Sequence, residues 1–79
     1  MTLAPDGHAY GMTGRDGECE LLQFHPQSGR WKLLGQVKDA ATGEGPWQIH
    51  DICATPDGTL YAGENDNPGR SGYLWEIQL

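Results

Sequence analysis

Ala4-Pro5-Asp6-Gly7-His8-Ala9-Tyr10 and Thr55-Pro56-Asp57-Gly58-Thr59-Leu60-Tyr61 are two copies of one pattern, offset by 51 residues. In each, Pro presets φ at one corner of a tight turn, and Gly accepts the positive φ required at the other. Downstream, Leu22 and Phe24 recur as Trp75 and Ile77, an offset of 53. The chain therefore reads as a structural unit of about fifty residues, repeated, with strand chemistry inside it.

Between the turns the pattern is that of strands. Twelve Gly and five Pro are spread along the 79 residues, and the longest stretch without either is Trp47 to Thr55. That leaves no room for a helix of three turns. Period-two runs predict strands over His8–Thr13, Glu18–Phe24, Arg30–Val37, Gln48–Ala54, Thr59–Glu64 and Tyr73–Leu79. In the third of these, alternation puts Trp31, Leu33 and Val37 on one face and Lys32 and Gln36 on the other. Leu21 beside Leu22, and Leu33 beside Leu34, make sheets that are apolar on both faces, as in sheets stacked between neighbours. Tyr10, Tyr61, Trp31 and Trp75 occupy repeat positions and are expected in the core.

The connections separate into short and long. Pro5–Gly7, Pro56–Gly58 and His25-Pro26-Gln27-Ser28-Gly29 are tight. Gly14–Gly17, Lys38–Trp47 and Asn65–Gly72 are longer. In an antiparallel meander successive connections fall at alternate ends of the sheet, so the three long ones share one end. Binding surfaces concentrate where long loops gather on a rigid scaffold. An all-β antiparallel meander with this period points to β-propeller blades, of which 79 residues hold about one and a half. A ring needs about four or more, so other copies or the remainder of a longer parent chain would have to complete it.

Two stretches carry a family resemblance. Phe24-His25-Pro26-Gln27-Ser28-Gly29-Arg30-Trp31 resembles the Tyr-Asp-Pro-x-Thr-x-x-Trp segment of a kelch repeat, with Pro26 and Trp31 matching. Asp51-Ile52-Cys53-Ala54-Thr55-Pro56-Asp57-Gly58-Thr59-Leu60-Tyr61-Ala62-Gly63 is similar to the inner strands of gluconolactonase-like and sensor-type propellers. The resemblance implies one partial blade over 1–37, comprising a truncated first strand at Met1–Ala4 and strands two to four. It implies an inter-blade loop over 38–47 and a second partial blade over 48–79 with strands one to three. Both terminal edges would be open, and open edges seek partners.

Candidate site residues lie at the loop-rich end. Trp47 stands at a loop–strand junction, where it would stack on a sugar or a partner side chain, or plug the space between blades. His50-Asp51 lies on the inner strand of the second partial blade; imidazole beside carboxylate suits a metal or general-base role. Glu64 ends the following strand at the same end, and Asp66 opens its loop, with Asn65 and Asn67 adding amide oxygens that suit a hard cation. Against this, neighbouring His50 and Asp51 should point to opposite faces of the strand, and Asp51 should hydrogen-bond neighbouring turn backbone. The binding set is thus Trp47, His50, Glu64 and Asp66, with no catalytic residue, metal ligand or cofactor assigned. His8 and His25 flank turns and are expected at the surface, with His25 making local hydrogen bonds. Cys19 and Cys53, both within expected strands, read as buried thiols acting as small hydrophobes.

A net charge of −6 with scattered acids disfavours nucleic acid and anionic membrane as partners. No apolar run approaches the length of a membrane span, and Met1-Thr2-Leu3 leads straight into a turn rather than a secretory leader. Two functions fit the pattern. The first is a structural and interaction module, pairing with copies of itself or with a parent chain and binding protein or carbohydrate at its loop-rich end. The second is a fragment of a metal-assisted lactonase or lyase, with His50 and Glu64 on the channel.

Overall fold

The computed structural model describes residues 1–14, 17–65, 67–69 and 72–78. Among these, every regular element is a strand: β1 (Thr2–Leu3), β2 (Ala9–Thr13), β3 (Glu20–His25), β4 (Arg30–Gln36), β5 (Gln48–Ala54), β6 (Leu60–Asn65) and β7 (Leu74–Ile77). They form two antiparallel sheets in sequence order, a four-stranded β1-β2-β3-β4 and a three-stranded β5-β6-β7. The expected all-β meander is present, with the strand division falling between 37 and 48.

The two Pro-Asp-Gly turns are built alike. Gly7 N donates to Ala4 O at 3.0 Å and Gly58 N to Thr55 O at 3.0 Å; Ala4 N donates to His8 O at 2.9 Å and Thr55 N to Thr59 O at 2.9 Å. Gly7 and Gly58 have φ of 87° and 91°. A tight turn followed by a left-handed Gly is a favoured three-residue hairpin, because its twist matches that of the flanking strands. The aspartates add the same brace, Asp6 Oδ1 accepting from His8 N and Asp57 Oδ1 from Thr59 N.

The core lies between the sheets. Ala4, Tyr10 and Leu21 of the four-stranded sheet meet Ile52, Leu60 and Ala62 of the three-stranded one, with Met12, Val37, Ile49, Ala54, Trp75 and Ile77 packed around them. The backbone of β5 packs across β1 and β2, while β3 and β4 stand away from β6 and β7. Thr2 Oγ1 ties the near side by accepting from Ala54 N at 3.1 Å. On the far side the sheets diverge and leave an open groove of about 740 Å³, with Leu34 and Val37 on one wall and Trp75 and Ile77 on the other.

Several expectations are corrected. Leu22 pairs with Leu33 but Leu21 with Gly35, so Leu34 is an extra residue in a bulge, beside Gly35 at φ 116°. The bulge reverses the alternation of β4 and splits the Trp31, Leu33, Val37 stripe. Val37 packs on the core, whereas Trp31 and Leu33 face outward, each 55% exposed. Trp31 is therefore not core; it lies against Phe24, ring centroids 4.7 Å apart. Cys19 is buried as expected but precedes β3, where its carbonyl accepts from Val37 N at 3.1 Å, just past the end of β4. Cys53 is exposed, because its face of the three-stranded sheet has no sheet over it. The last strand ends at Ile77 rather than Leu79, which lies outside the described residues.

Candidate functional site

The described residues of the three long connections gather at one end of the molecule, as strand parity requires, and hydrogen bonds join them. Trp47 O accepts from Gly17 N at 3.4 Å. The Cys19 sulfur lies 3.6 Å from Trp47 O and 3.8 Å from Gly14 O. Asp39 turns the 38–47 connection: its amide donates to Glu44 O, its carbonyl accepts from Gly43 N, and Oδ1 accepts from Ala41 N. Pro46 is fully buried beside this junction. Gly45 has room for no side chain, since a Cβ there would stand 2.7 Å from Gly17 O and 3.0 Å from Val37 O.

Glu64 binds this end together. Its Oε2 accepts from Trp47 N at 2.6 Å and Asn67 Nδ2 at 3.4 Å; its Oε1 accepts from Tyr73 N at 3.0 Å and Trp75 Nε1 at 3.3 Å. The carboxylate thus draws donors from the connection before β5 and the connection before β7, and from β7 itself. Charge-assisted bonds to backbone amides are among the stronger contacts a protein makes. In this geometry the Glu64 carboxylate helps set where Trp47 enters β5.

His50 is placed elsewhere. Ile49 pairs with Glu64 and Asp51 with Gly63, so His50 is the extra residue of a bulge in β5. Ile49 and Ile52 face the core, and His50 and Asp51 between them are both exposed. The expectation that His50 and Asp51 oppose each other across the strand fails, because a bulge suspends strict alternation. His50 Nε2 and Asn65 Nδ2 are 2.9 Å apart. Asn65 follows Glu64 on β6, so alternation sends their side chains to opposite faces. The structure accordingly brings Trp47 and Glu64 together and His50 and Asn65 together, but not His50 with the Glu64 carboxylate. Asp51 Oδ1 accepts from Ile52 N at 2.9 Å, a backbone bond within the strand rather than in a turn. Asp66 lies outside the described residues. Among the described residues, no group of three or more His, Cys, Asp or Glu is placed to hold a metal ion.

The opposite, short-turn end carries a polar network that sequence pattern alone does not assemble. His8 and His25 stack with ring centroids 4.1 Å apart. Tyr10 Oη donates to Asp6 Oδ2 at 2.5 Å and accepts from Gln23 Nε2 at 2.8 Å. His25 Nε2 sits 2.7 Å from Gln23 Oε1, the local bond expected of it. The Tyr10 hydroxyl lowers the Asp6 pKa, while burial, then the bond to Asp6, raises that of Tyr10. The signal lies in the cross-strand register: once Ala9 is opposite Phe24, His8 and His25 must be neighbours.

Comparison with protein-family models, curated proteins and solved structures gives no match.

Proposed function

We propose that this chain is a structural and interaction module made of two adjacent, incomplete β-propeller blades, with protein or carbohydrate bound at its loop-rich end. One observation carries the blade reading: two meander sheets, opened by the same Pro-Asp-Gly hairpin, meet along β1, β2 and β5 and diverge outward. Radial sheets around a common axis have this wedge relation, narrow inside and wide outside. The kelch-like segment Phe24–Trp31 then links the third strand of a blade to its outer strand, and β5 is the inner strand of the next.

The binding end follows from the same geometry. Loops positioned by a rigid scaffold are where recognition residues concentrate, and here Glu64 holds Trp47 at the mouth of the 38–47 connection. A half-buried indole suits stacking on a sugar ring or a partner side chain. His50 and Asn65 offer polar groups on the neighbouring outer face.

The test is an amide-resolved NMR titration of the whole chain with a panel of oligosaccharides and short peptides. Shifts centred on the Trp47 indole and on residues 38–47, abolished by Trp47→Ala in a chain that keeps its fold, are expected. Shifts confined to the Asp6–His8 and His25–Gly29 turns would move the binding surface to the other end and overturn the assignment.

A further inference from the structure

The internal repeat extends to individual cross-strand pairs. Ala9↔Phe24, Tyr10↔Gln23, Gly11↔Leu22 and Met12↔Leu21 recur as Leu60↔Ile77, Tyr61↔Glu76, Ala62↔Trp75 and Gly63↔Leu74. Paired residues share a face and successive residues alternate. Each sheet therefore has one face carrying Tyr10-type positions and one carrying Ala9-type positions.

Within the chain these faces meet in one sense only. The four-stranded sheet contributes its Tyr10 and Leu21 face, and the three-stranded sheet its Leu60, Ala62, Trp75 and Ile77 face. One face of each kind is left uncovered. On the four-stranded sheet it bears Leu3, Leu22, Phe24, Trp31 and Leu33, a continuous apolar surface in which Leu3, Trp31 and Leu33 are mostly exposed. On the three-stranded sheet it bears Tyr61, Leu74 and, paired with Tyr61, the exposed Glu76; Leu74 is 72% exposed. A single chain thus carries both halves of a junction whose made form already exists inside it.

We propose that a second copy of this chain docks its Leu22–Phe24 face on the Tyr61–Leu74 face of the first, reproducing between chains the junction that joins the two sheets within one. The proposal rests on the blade reading above and adds to it the partner and the mating faces. The register supplies the fit: the docking copy's Ala9, Gly11, Leu22 and Phe24 occupy the places that Leu60, Ala62, Trp75 and Ile77 hold in the internal junction. The contact is heterologous, since the two faces differ, so association continues until the rotation closes a ring. Each copy brings two sheets, and two, three or four copies would reach the roughly four to eight blades of closed propellers.

Light scattering after gel filtration, across a concentration series of the full chain, tests this. The expected mass is a fixed multiple of 8.6 kDa. Leu33→Lys spoils one face and Leu74→Lys the other; both side chains are exposed, so circular dichroism should show the fold kept, and Leu3→Lys replaces Leu33→Lys if it does not. Each variant alone is expected at 8.6 kDa, and an equimolar mixture at twice that, because one intact junction remains between them. A wild type that stays monomeric overturns the proposal, as does a Leu74→Lys variant that still assembles while Leu33→Lys does not, since that means pairing through a single face. Nuclear Overhauser contacts between Tyr10 or Leu21 and Ile52 or Ala62 separate the two levels. If they persist in a monomer, only the docking is wrong; if they are missing, the blade reading falls as well.

Discussion

Replacing Glu64 by Ala removes the acceptor that ties the long connections together. The two shortest bonds, to Trp47 N at 2.6 Å and Tyr73 N at 3.0 Å, join a carboxylate to backbone amides. A hydrogen bond to a charged group contributes about 1.5–3 kcal/mol, and a backbone donor left without a partner adds its desolvation cost. Glu64 is only partly buried, so water will take over some donors, and the lower end applies to each bond. The expected loss is about 3 kcal/mol for the pair, with little added by the longer contacts to Trp75 and Asn67. A chain of 79 residues has a total stability of about 4–12 kcal/mol, so this is a large fraction. Urea unfolding followed by tryptophan fluorescence reads it directly, because Trp47 and Trp75 both touch the carboxylate. With a slope of about 1 kcal/mol per molar urea, the midpoint falls by about 3 M. Glu64→Gln keeps one acceptor oxygen and should lose roughly half as much. Both proteins must be compared at one concentration, since any self-association adds to apparent stability. A loss below about 0.5 kcal/mol in Glu64→Ala, typical of an unremarkable surface site, would refute the structural role and return Glu64 to the candidates for ligand binding.

Gly45→Ala forces a Cβ against two backbone oxygens, Gly17 O and Val37 O, and should cost about 1–3 kcal/mol, seen as a fall in melting temperature of roughly 4–8 °C per kcal/mol; an unchanged melting temperature would mean the connections are not held as described. Thiol labelling should modify Cys53 alone in the native protein and both cysteines in urea, since Cys19 is buried and Cys53 exposed; two fast thiols in the native state would contradict the packing of the 14–19 connection. Asp6, through its bond from Tyr10, and Tyr10, through burial and then that bond, set two pH limits. The Asp6 pKa is lowered from 3.8, so its stabilisation is full above that value and is lost as pH falls through the folded pKa. The Tyr10 pKa is raised from 10.0, so its stabilisation is full below that value and is lost as pH rises through the folded pKa. Tyr10→Phe should flatten the alkaline limb of the urea-midpoint profile and the acid limb only in part, because Asp57 is also lowered, by the Thr55 hydroxyl; an alkaline limb unchanged by Tyr10→Phe would assign it to another group.

The features legible in the sequence are those that local chemistry decides. Pro-Asp-Gly admits few conformations, so both turns form as read and set the ends of β2, β5 and β6. Strand parity needs only an ordered count of connections, so it correctly places the long ones together. The failures share one cause, the assumption of unbroken alternation. Leu34 and His50 are each inserted into a strand opposite no partner of their own. One insertion turns Trp31 and Leu33 outward, and the other leaves His50 and Asp51 both exposed. A bulge depends on what the neighbouring strand and sheet will accept, and that is not written within the strand itself. Glu64 groups with His50 in the sequence because they share an end of the molecule; which face each occupies is a separate matter, decided by register.

The repeat also shows how little burial belongs to a residue alone. Leu21 and Leu74 hold equivalent places, each opposite the same position of the preceding strand, yet Leu21 is 5% exposed and Leu74 72%. Tyr10 is fully buried and bonded at its hydroxyl, while Tyr61, its counterpart, is half-buried. Residue type, strand position and turn are the same in each pair; the difference is that a second sheet lies over Leu21 and Tyr10 and none lies over Leu74 and Tyr61. An apolar side chain gains about 25 cal/mol for each square ångström it withdraws from water, so the uncovered positions retain a driving force that their counterparts have already spent. Each sheet has one face covered by the junction at the chain's centre and one left to solvent.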